Sequence, residues 1–431
     1  MRKIFLLLLP AFLFAEDFAT LLKLANDNLL LKAKRYEITA KEALLRASKA
    51  KNYPTLDAKL TAAYLKDEPT MNFKLPFEGM PPKFQVGKKA NYTGEINIAY
   101  PIFTGYAISG QIEKAKLDTA KTKLEEKDEK RRLYIKIASL YANIFGINYA
   151  VNANEDAKTA IERSLEKARG FFKAGLLAPS ELENIKAKKH EITASLQTLK
   201  NQKRTLLQTL SYLCESDIEN IDKLPSFKLP SAKRLLTTAV RKREDILVIK
   251  KLLEMDEEDI KMTKSKLYPS LALTGALKLQ GDTLKLNGDG YTNPNKSYIA
   301  AVVNYDIFDG FETKHRIDAA KAKKMARILY LNDYQKRIKT LLKNKIDTLQ
   351  ALYLQKEAKN AQLKAQKSYY KLTQGRFANH LSSADELSRS VAALAKSRAQ
   401  YKKIEADIFI QKCKILLESS LSMFEKTALL H

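Results

Sequence analysis

The sequence predicts a mainly α-helical chain with β-strands: long antiparallel coiled-coil helices and four strands, laid out as an internal tandem repeat. Three observations predict it. Ala, Leu, Lys and Glu dominate 431 residues that hold only 14 Gly, 12 Pro and no Trp, the make-up of long helices. Two stretches abandon helical periodicity for strict alternation, each just after a Tyr-Pro dipeptide, at Tyr53-Pro54 and Tyr268-Pro269. The chain is also written twice. Ile102-Phe103-Thr104-Gly105-Tyr106 returns as Ile307-Phe308-Asp309-Gly310-Phe311, an offset of 307 − 102 = 205. Gly170, Phe172, Glu181 and Leu182 return at the same offset as Gly375, Phe377, Glu386 and Leu387. A register kept without insertion means two segments of equal length under one constraint, so function must be built from both copies.

At the start, Arg2 and Lys3 precede the apolar run Ile4 to Phe14, which ends at Ala15 before Glu16-Asp17. This is the pattern of a secretory signal over 1–15, cleaved after Ala15, although Leu13 departs from the small residue favoured before the site. The run is too short to span a bilayer, and no later stretch approaches the 18 consecutive apolar residues of a spanning helix. The mature chain is therefore expected to be exported, with any membrane crossing left to strands.

Residues 17 to 52 read as one helix, ended by Tyr53-Pro54, because the residue before proline is pushed out of the α region. Leu56, Ala58, Leu60, Ala62 and Tyr64 then alternate with Thr55, Asp57, Lys59, Thr61 and Ala63. After a loop rich in Pro and Gly, Ile96, Ile98, Tyr100 and Ile102 alternate with Glu95, Asn97 and Ala99. The second copy sets Leu271, Leu273, Leu277 and Leu279 against Ser270, Thr274, Lys278 and Gln280. It then sets Ile299, Val303, Tyr305 and Ile307 against Ala300, Asn304 and Asp306. Each segment has the roughly 9–11 residues with which a tilted strand crosses the hydrocarbon layer. A soluble two-sided sheet with one buried face is the plainer alternative. Four spanning strands cannot close a barrel, since the smallest have about eight, so a spanning sheet must be shared between chains.

From Gly105 to Phe172 there is no proline, room for a helix of roughly 100 Å. Leu133, Ile137, Leu140, Ile144, Ile147 and Val151 form a coiled-coil seam, repeated as Ile338, Leu342, Lys345, Leu349, Leu352 and Lys356. A return helix begins at Pro179, with Lys189 and Lys203 in its seam, as a helix lining a wet channel would tolerate by snorkelling. Gly175 suits a left-handed helix cap, and Ser382 with Asp385 approximates a capping box in the second turn. The expected organisation is 1–15 signal, 16–220 first repeat, 221–233 linker and 234–431 second repeat. Net charge is +27, with Lys and Arg spread over helical faces, which favours solvated faces over one binding patch; anionic lipid or an acidic partner is the functional alternative.

Chemistry is nearly absent. No phosphate loop, His-Glu-x-x-His motif or nucleophile elbow occurs, and His190, His315, His380 and His431 are scattered, so no enzyme, metal or cofactor is expected. Asp282, Asn287, Asp289 and Asn293 resemble calcium ligands only in type, and turn chemistry explains them. Cys214 and Cys413 leave one bridge or two free thiols open.

The ordered set resembles the TolC-like outer-membrane efflux family over essentially the whole mature chain. It comprises a signal, two hairpins after Tyr-Pro, the steps Pro-Ile-Phe-Thr-Gly (101–105) and Asp-Ile-Phe-Asp-Gly (306–310), and the tips Phe-Lys-Ala-Gly-Leu (172–176) and Phe-Ala-Asn-His-Leu (377–381). The resemblance implies a homotrimer with a twelve-stranded barrel in the outer membrane and a twelve-helix barrel across the periplasm. Its partners would be a periplasmic adaptor and an inner-membrane transporter, together serving as an exit duct for drugs, metabolites, metals or proteins. By position it puts adaptor docking at Gly175, Leu176, His380 and Leu381, and the periplasmic aperture at Ser180, Glu181, Glu386 and Arg389. His380 departs from the family's usual glycine, and Arg389 stands where a second acid is common; Arg389 is expected to pair with Glu386. An exported coiled-coil scaffold or adhesin without channel activity is the competing reading, though it has no use for duplicated amphipathic strands.

Overall fold

The computed structural model describes residues 16–72, 83–288, 291–379 and 381–428. The signal region 1–15, part of the first loop, Asp289, His380 and His431 lie outside the described residues. The chain divides into two compact units that cut across both repeats. One is built from residues up to Glu37, Thr122–Val248 and Leu331 onward, the other from Ile38–Lys121 and Ile249–Tyr330.

The helix expected over 17–52 is in fact two, α1 (Phe18–Leu24) and α2 (Leu29–Ala50), joined by a 3₁₀ turn. Asn28 breaks it. Its side-chain oxygen accepts from the Leu30 amide at 3.0 Å and its amide donates to the Leu213 carbonyl at 3.1 Å, local bonding that competes with the helical ladder.

In the second unit, β1 (Thr55–Tyr64), β4 (Ala90–Thr104), β5 (Ser270–Gly281) and β6 (Tyr298–Asn304) form one antiparallel sheet in the order β1-β4-β5-β6. A short hairpin, β2 (Thr70–Asn72) and β3 (Lys83–Gln85), occupies the first loop. Register sets Leu60 opposite Gly94, Ala58 opposite Ile96, and Ile96 opposite Leu277, so the alternating apolar residues fall on one face. Lys59, Glu95 and Lys278 meet at one level of the other face. Beyond Pro101, which has no amide hydrogen to give the ladder, the β4–β5 register shifts before Phe103. Strand β6 stops at Asn304, so Tyr305 and Ile307 lie outside it, shorter than expected.

At each strand-to-helix step two successive residues take left-handed backbone, Gly105 (φ 59°) with Tyr106 (φ 71°) and Gly310 (φ 65°) with Phe311 (φ 66°). A Cβ on Gly105 would also overlap the Ser265 carbonyl, so glycine is required there twice over.

The long helices are α3 (Ala107–Lys173), α4 (Pro179–Cys214), α7 (Glu312–Ala378) and α8 (Ala384–Ser419). Both outgoing helices have 67 residues and both returning ones 36, all at the 205 offset (312 − 107; 384 − 179). The second repeat opens with α5 (Ala232–Lys242), which begins at the end of the linker, and α6 (Glu244–Lys264), and α9 (Leu421–Ala428) follows α8. The first seam is buried through Leu133, Ile137, Ile144 and Val151, while the second is buried at Ile338, Leu342 and Leu349. Its Lys356 is held by Glu405 at 2.9 Å, and Lys189 by Glu162 at 3.1 Å, so ion pairs across helices accommodate these two lysines. Cys214 and Cys413 are both buried free thiols.

Candidate functional site

The sheet is the first candidate surface, and its apolar face is bare. Leu56, Leu60 and Tyr64 are 72, 68 and 79% exposed, and Ile96, Leu277, Ile299 and Val303 also lie open. In water such a face is a liability, since contiguous exposed apolar surface marks a membrane or partner contact. Strands β1 and β6 end the sheet, each paired on one side only. Unpaired edges are not tolerated within hydrocarbon, so further strands must complete the sheet there. The opposite face is polar, with Glu95 within 3.4 Å of Lys278 and Asn97 donating to Asp57 at 3.1 Å. Among the described residues no helix is long and apolar enough to cross a membrane.

The tips of the helical hairpins are the second. In the first, Gly175 takes φ 72° and the Leu176 amide reaches back to the Phe171 carbonyl at 2.8 Å, closing the helix end with a left-handed cap. In the second, Leu381 donates to the Arg376 carbonyl, also at 2.8 Å. Leu176 (64%) and Leu381 (67%) are thus presented to solvent at equivalent positions. Beneath them Ile161 and Leu165 of α3, Ile185 of α4, and Phe377, Leu387 and Val391 pack into one core.

Glu386 is tied down from several sides. It accepts from Ser382 Oγ at 2.6 Å and from Tyr369 Oη at 3.1 Å, with Arg376 3.9 Å away. The Ser382 bond, with that of Tyr369, holds its carboxyl below the usual range. Arg389 does not pair with it: the guanidinium binds Asp385, one helical turn away, because Tyr369, Ser382 and Arg376 already occupy Glu386. The cap also differs from expectation by one residue, since Ser383 Oγ accepts the Glu386 amide at 3.1 Å. Ser180 and Glu181 stand at the start of α4, the first exposed and the second partly so. Tyr369 and Arg376 were not legible as site residues, because they act from the far helix of the hairpin and leave no local motif.

A buried charge cluster was equally invisible. Arg131 is 3% exposed and binds Asp128 at 2.6 Å, with Glu418 at 3.4 Å and Glu244 at 3.7 Å; Arg243 bridges Asp245 and Glu418. Burial pushes the Glu244 carboxyl upward, and its Oε2 has no hydrogen-bond partner. Among the described residues no cluster of His, Cys, Asp and Glu could hold a metal ion.

Residues 235–412 match the family model described as outer membrane efflux protein. No curated protein matches the sequence significantly. The fold is similar to that of CusC, whose crystal structures concern folding and transmembrane channel formation, with a TM-score of 0.78 at 14% identity over 95% of this chain and 93% of that one. It is similar also to the Campylobacter jejuni CmeC outer membrane channel (0.77, 15% identity, 93% and 85% covered) and to the outer membrane protein VceC of Vibrio cholerae (0.74, 14%, 93% and 95%).

Proposed function

We propose that this chain is a TolC-like outer-membrane efflux protein, the exit duct of a tripartite efflux pump or type I secretion system. The observation that carries this is the four-stranded sheet with one bare apolar face and two unpaired edges. Three copies supply twelve strands, enough to close a barrel with lipid outside and the polar face around the lumen. Four long helices from each copy line the periplasmic passage. The chain supplies no energy and no chemistry, so an inner-membrane transporter and a periplasmic adaptor must drive it. Small molecules such as drugs, metabolites or metals are the cargo, selected by the transporter.

Gly175, Leu176 and Leu381 are the adaptor-docking residues in this reading; His380, outside the described residues, belongs to the second tip. Ser180, Glu181, Glu386 and Arg389 surround the aperture. The scaffold alternative fails to explain why β4 and β5 leave Ile96, Ile98, Tyr100, Leu273, Leu277 and Leu279 exposed on one face.

Fractionation tests it. Leu60→Arg and Leu273→Arg, on the lipid face, are expected to lower outer-membrane assembly, each costing about 2–4 kcal/mol near the midplane. Lys59→Leu, on the lumen face, is expected to assemble normally. Equal tolerance at Leu60 and Lys59 would contradict the spanning sheet.

A further inference from the structure

Polar contacts tie the four long helices together. Lys200 of α4 reaches Glu155 of α3 at 2.8 Å, Asp156 of α3 holds Arg398 of α8 at 2.9 Å, and Lys359 of α7 meets Gln400 of α8 at 2.9 Å. Helices α4 and α7 are the more exposed members of this set, although α4 also packs directly on α8. The segment after α4 crosses this layer. Asn220 accepts from Asn148 of α3, the Lys223 carbonyl from Tyr141, and the Phe227 carbonyl from Lys412 of α8. Helix α5 then lies on α8, burying Leu235 and Ala239.

Charge along this strap is sorted. At the α4 end stand Glu215, Asp217 and Glu219, all exposed acids, Glu215 accepting from the Leu29 amide at 3.3 Å. At the other end stand Lys228, Lys233, Arg234, Arg241 and Lys242, every one exposed and none in an ion pair among the described residues. Lys203 and Arg204 of α4 line the groove beside Asp217 and Glu219 without reaching ion-pair distance.

We propose that this strap is a clasp between copies of the chain, its basic end seated on the acidic end of the next copy; the proposal rests on the trimeric reading above. The fit is head-to-tail, with acid at the α4 edge and base toward the α7 edge, so each copy gives one end and receives the other, as a closed ring requires. Net charge makes such a device necessary. Mature copies that each carry 27 − 2 = +25, once Arg2 and Lys3 leave with the signal, repel at long range, and local complementarity both opposes that repulsion and fixes which edges meet. Exposed apolar side chains flank the acidic end, Leu29 at 63% and Tyr212 at 68%, giving the contact a hydrophobic part.

The test uses the full chain in detergent, with native mass followed on dilution at low and high salt. Lys233→Glu with Arg234→Glu and Arg241→Glu is expected to lower trimer association about tenfold at low salt, and Asp217→Lys with Glu219→Lys to do the same. Combining the two sets is expected to restore most of it, and high salt to narrow all differences. A melting curve of the dissociated chain separates misfolding from lost contact. Should a set misfold, Glu219→Cys with Lys242→Cys, which reverses no charge, is expected to give copy-to-copy disulfides on mild oxidation. Unchanged association in both sets, a combination no better than either set alone, or absence of the disulfide would each overturn the clasp. A wild-type chain that never forms trimers would overturn the trimeric reading instead.

Discussion

Helices α4 and α8 are the same length and occupy the same place in their repeats, yet they live in different surroundings. α8 buries seventeen residues, from Ala384 to Ser419, whereas α4 buries six, the last being Cys214. The pair Leu417 and Tyr212, one offset apart (417 − 212 = 205), shows the contrast: the leucine is 0% exposed and the tyrosine 68%. The outgoing helices differ likewise, Arg131 lying buried in α3 while its counterpart Lys336 lies exposed on α7. Duplication gave each repeat the same helices and turns, and packing then placed α3 and α8 inside the chain and α4 and α7 at its edges. Under the proposed trimeric reading, exposed apolar residues on these edge helices would form half of an interface between copies.

The largest effect that would sharpen this contrast is at the buried cluster. Arg131→Ala is expected to destabilise the chain by about 3–5 kcal/mol, since Glu244 would stay buried without its cation while Asp128 would keep only Arg132 and Glu418 only Arg243. Lys336→Ala is expected to stay within about 0.5 kcal/mol. Denaturant unfolding of the two variants checks both, and similar losses would break the inside–edge distinction.

Next in size, Leu417→Ala should cost about 2–5 kcal/mol by leaving a cavity against fully buried neighbours. Tyr212→Ala should leave the unfolding of the separated chain unchanged and weaken its association, measurable by dilution. A Tyr212 variant that melts early as a monomer would show that α4 is an interior helix after all.

The two glycines near the tips should respond with opposite sign. Gly175→Ala places a Cβ on left-handed backbone at φ 72°, costing about 1–2 kcal/mol. Gly375→Ala lies inside α7 with open space around it and is expected to stabilise by about 0.5–1 kcal/mol. Thermal melts distinguish them.

The smallest effect concerns Glu244. Its folded pKa is raised by burial, so ionising it costs stability that is fully present below the ordinary value of 4.5 and is lost as pH rises through the folded value. Glu244→Gln keeps an acceptor for the Leu421 amide, now 3.0 Å from Oε1. The variant should equal the wild type below pH 4.5 and match or exceed it by up to about 1 kcal/mol at neutral pH. A variant less stable at neutral pH than in acid, relative to wild type, would show that the ionised carboxylate is needed.

Much of the fold was legible because its signals are local and repeated. Period two marked Leu56 to Tyr64, proline and glycine marked the turns, and the 205 offset tied the halves together. Asn28 was missed because a single side chain redirecting the backbone has no periodic trace. The site was less legible. Gly175 and Leu176 announced themselves through turn chemistry, but the partners of Glu386 come from Tyr369, seventeen residues away on another helix, and spacing along one helix wrongly suggested Arg389. Sorting of charge along 215–242 shows only once the strap's path over α3 and α8 is known.

The central claim is that this sheet is one third of a barrel. The most direct test is the stoichiometry of the unheated chain extracted from the outer membrane, counted by native mass spectrometry. The account predicts three chains per particle, converting to single chains on heating. Single chains before heating, or recovery only from the soluble periplasmic fraction, would contradict it.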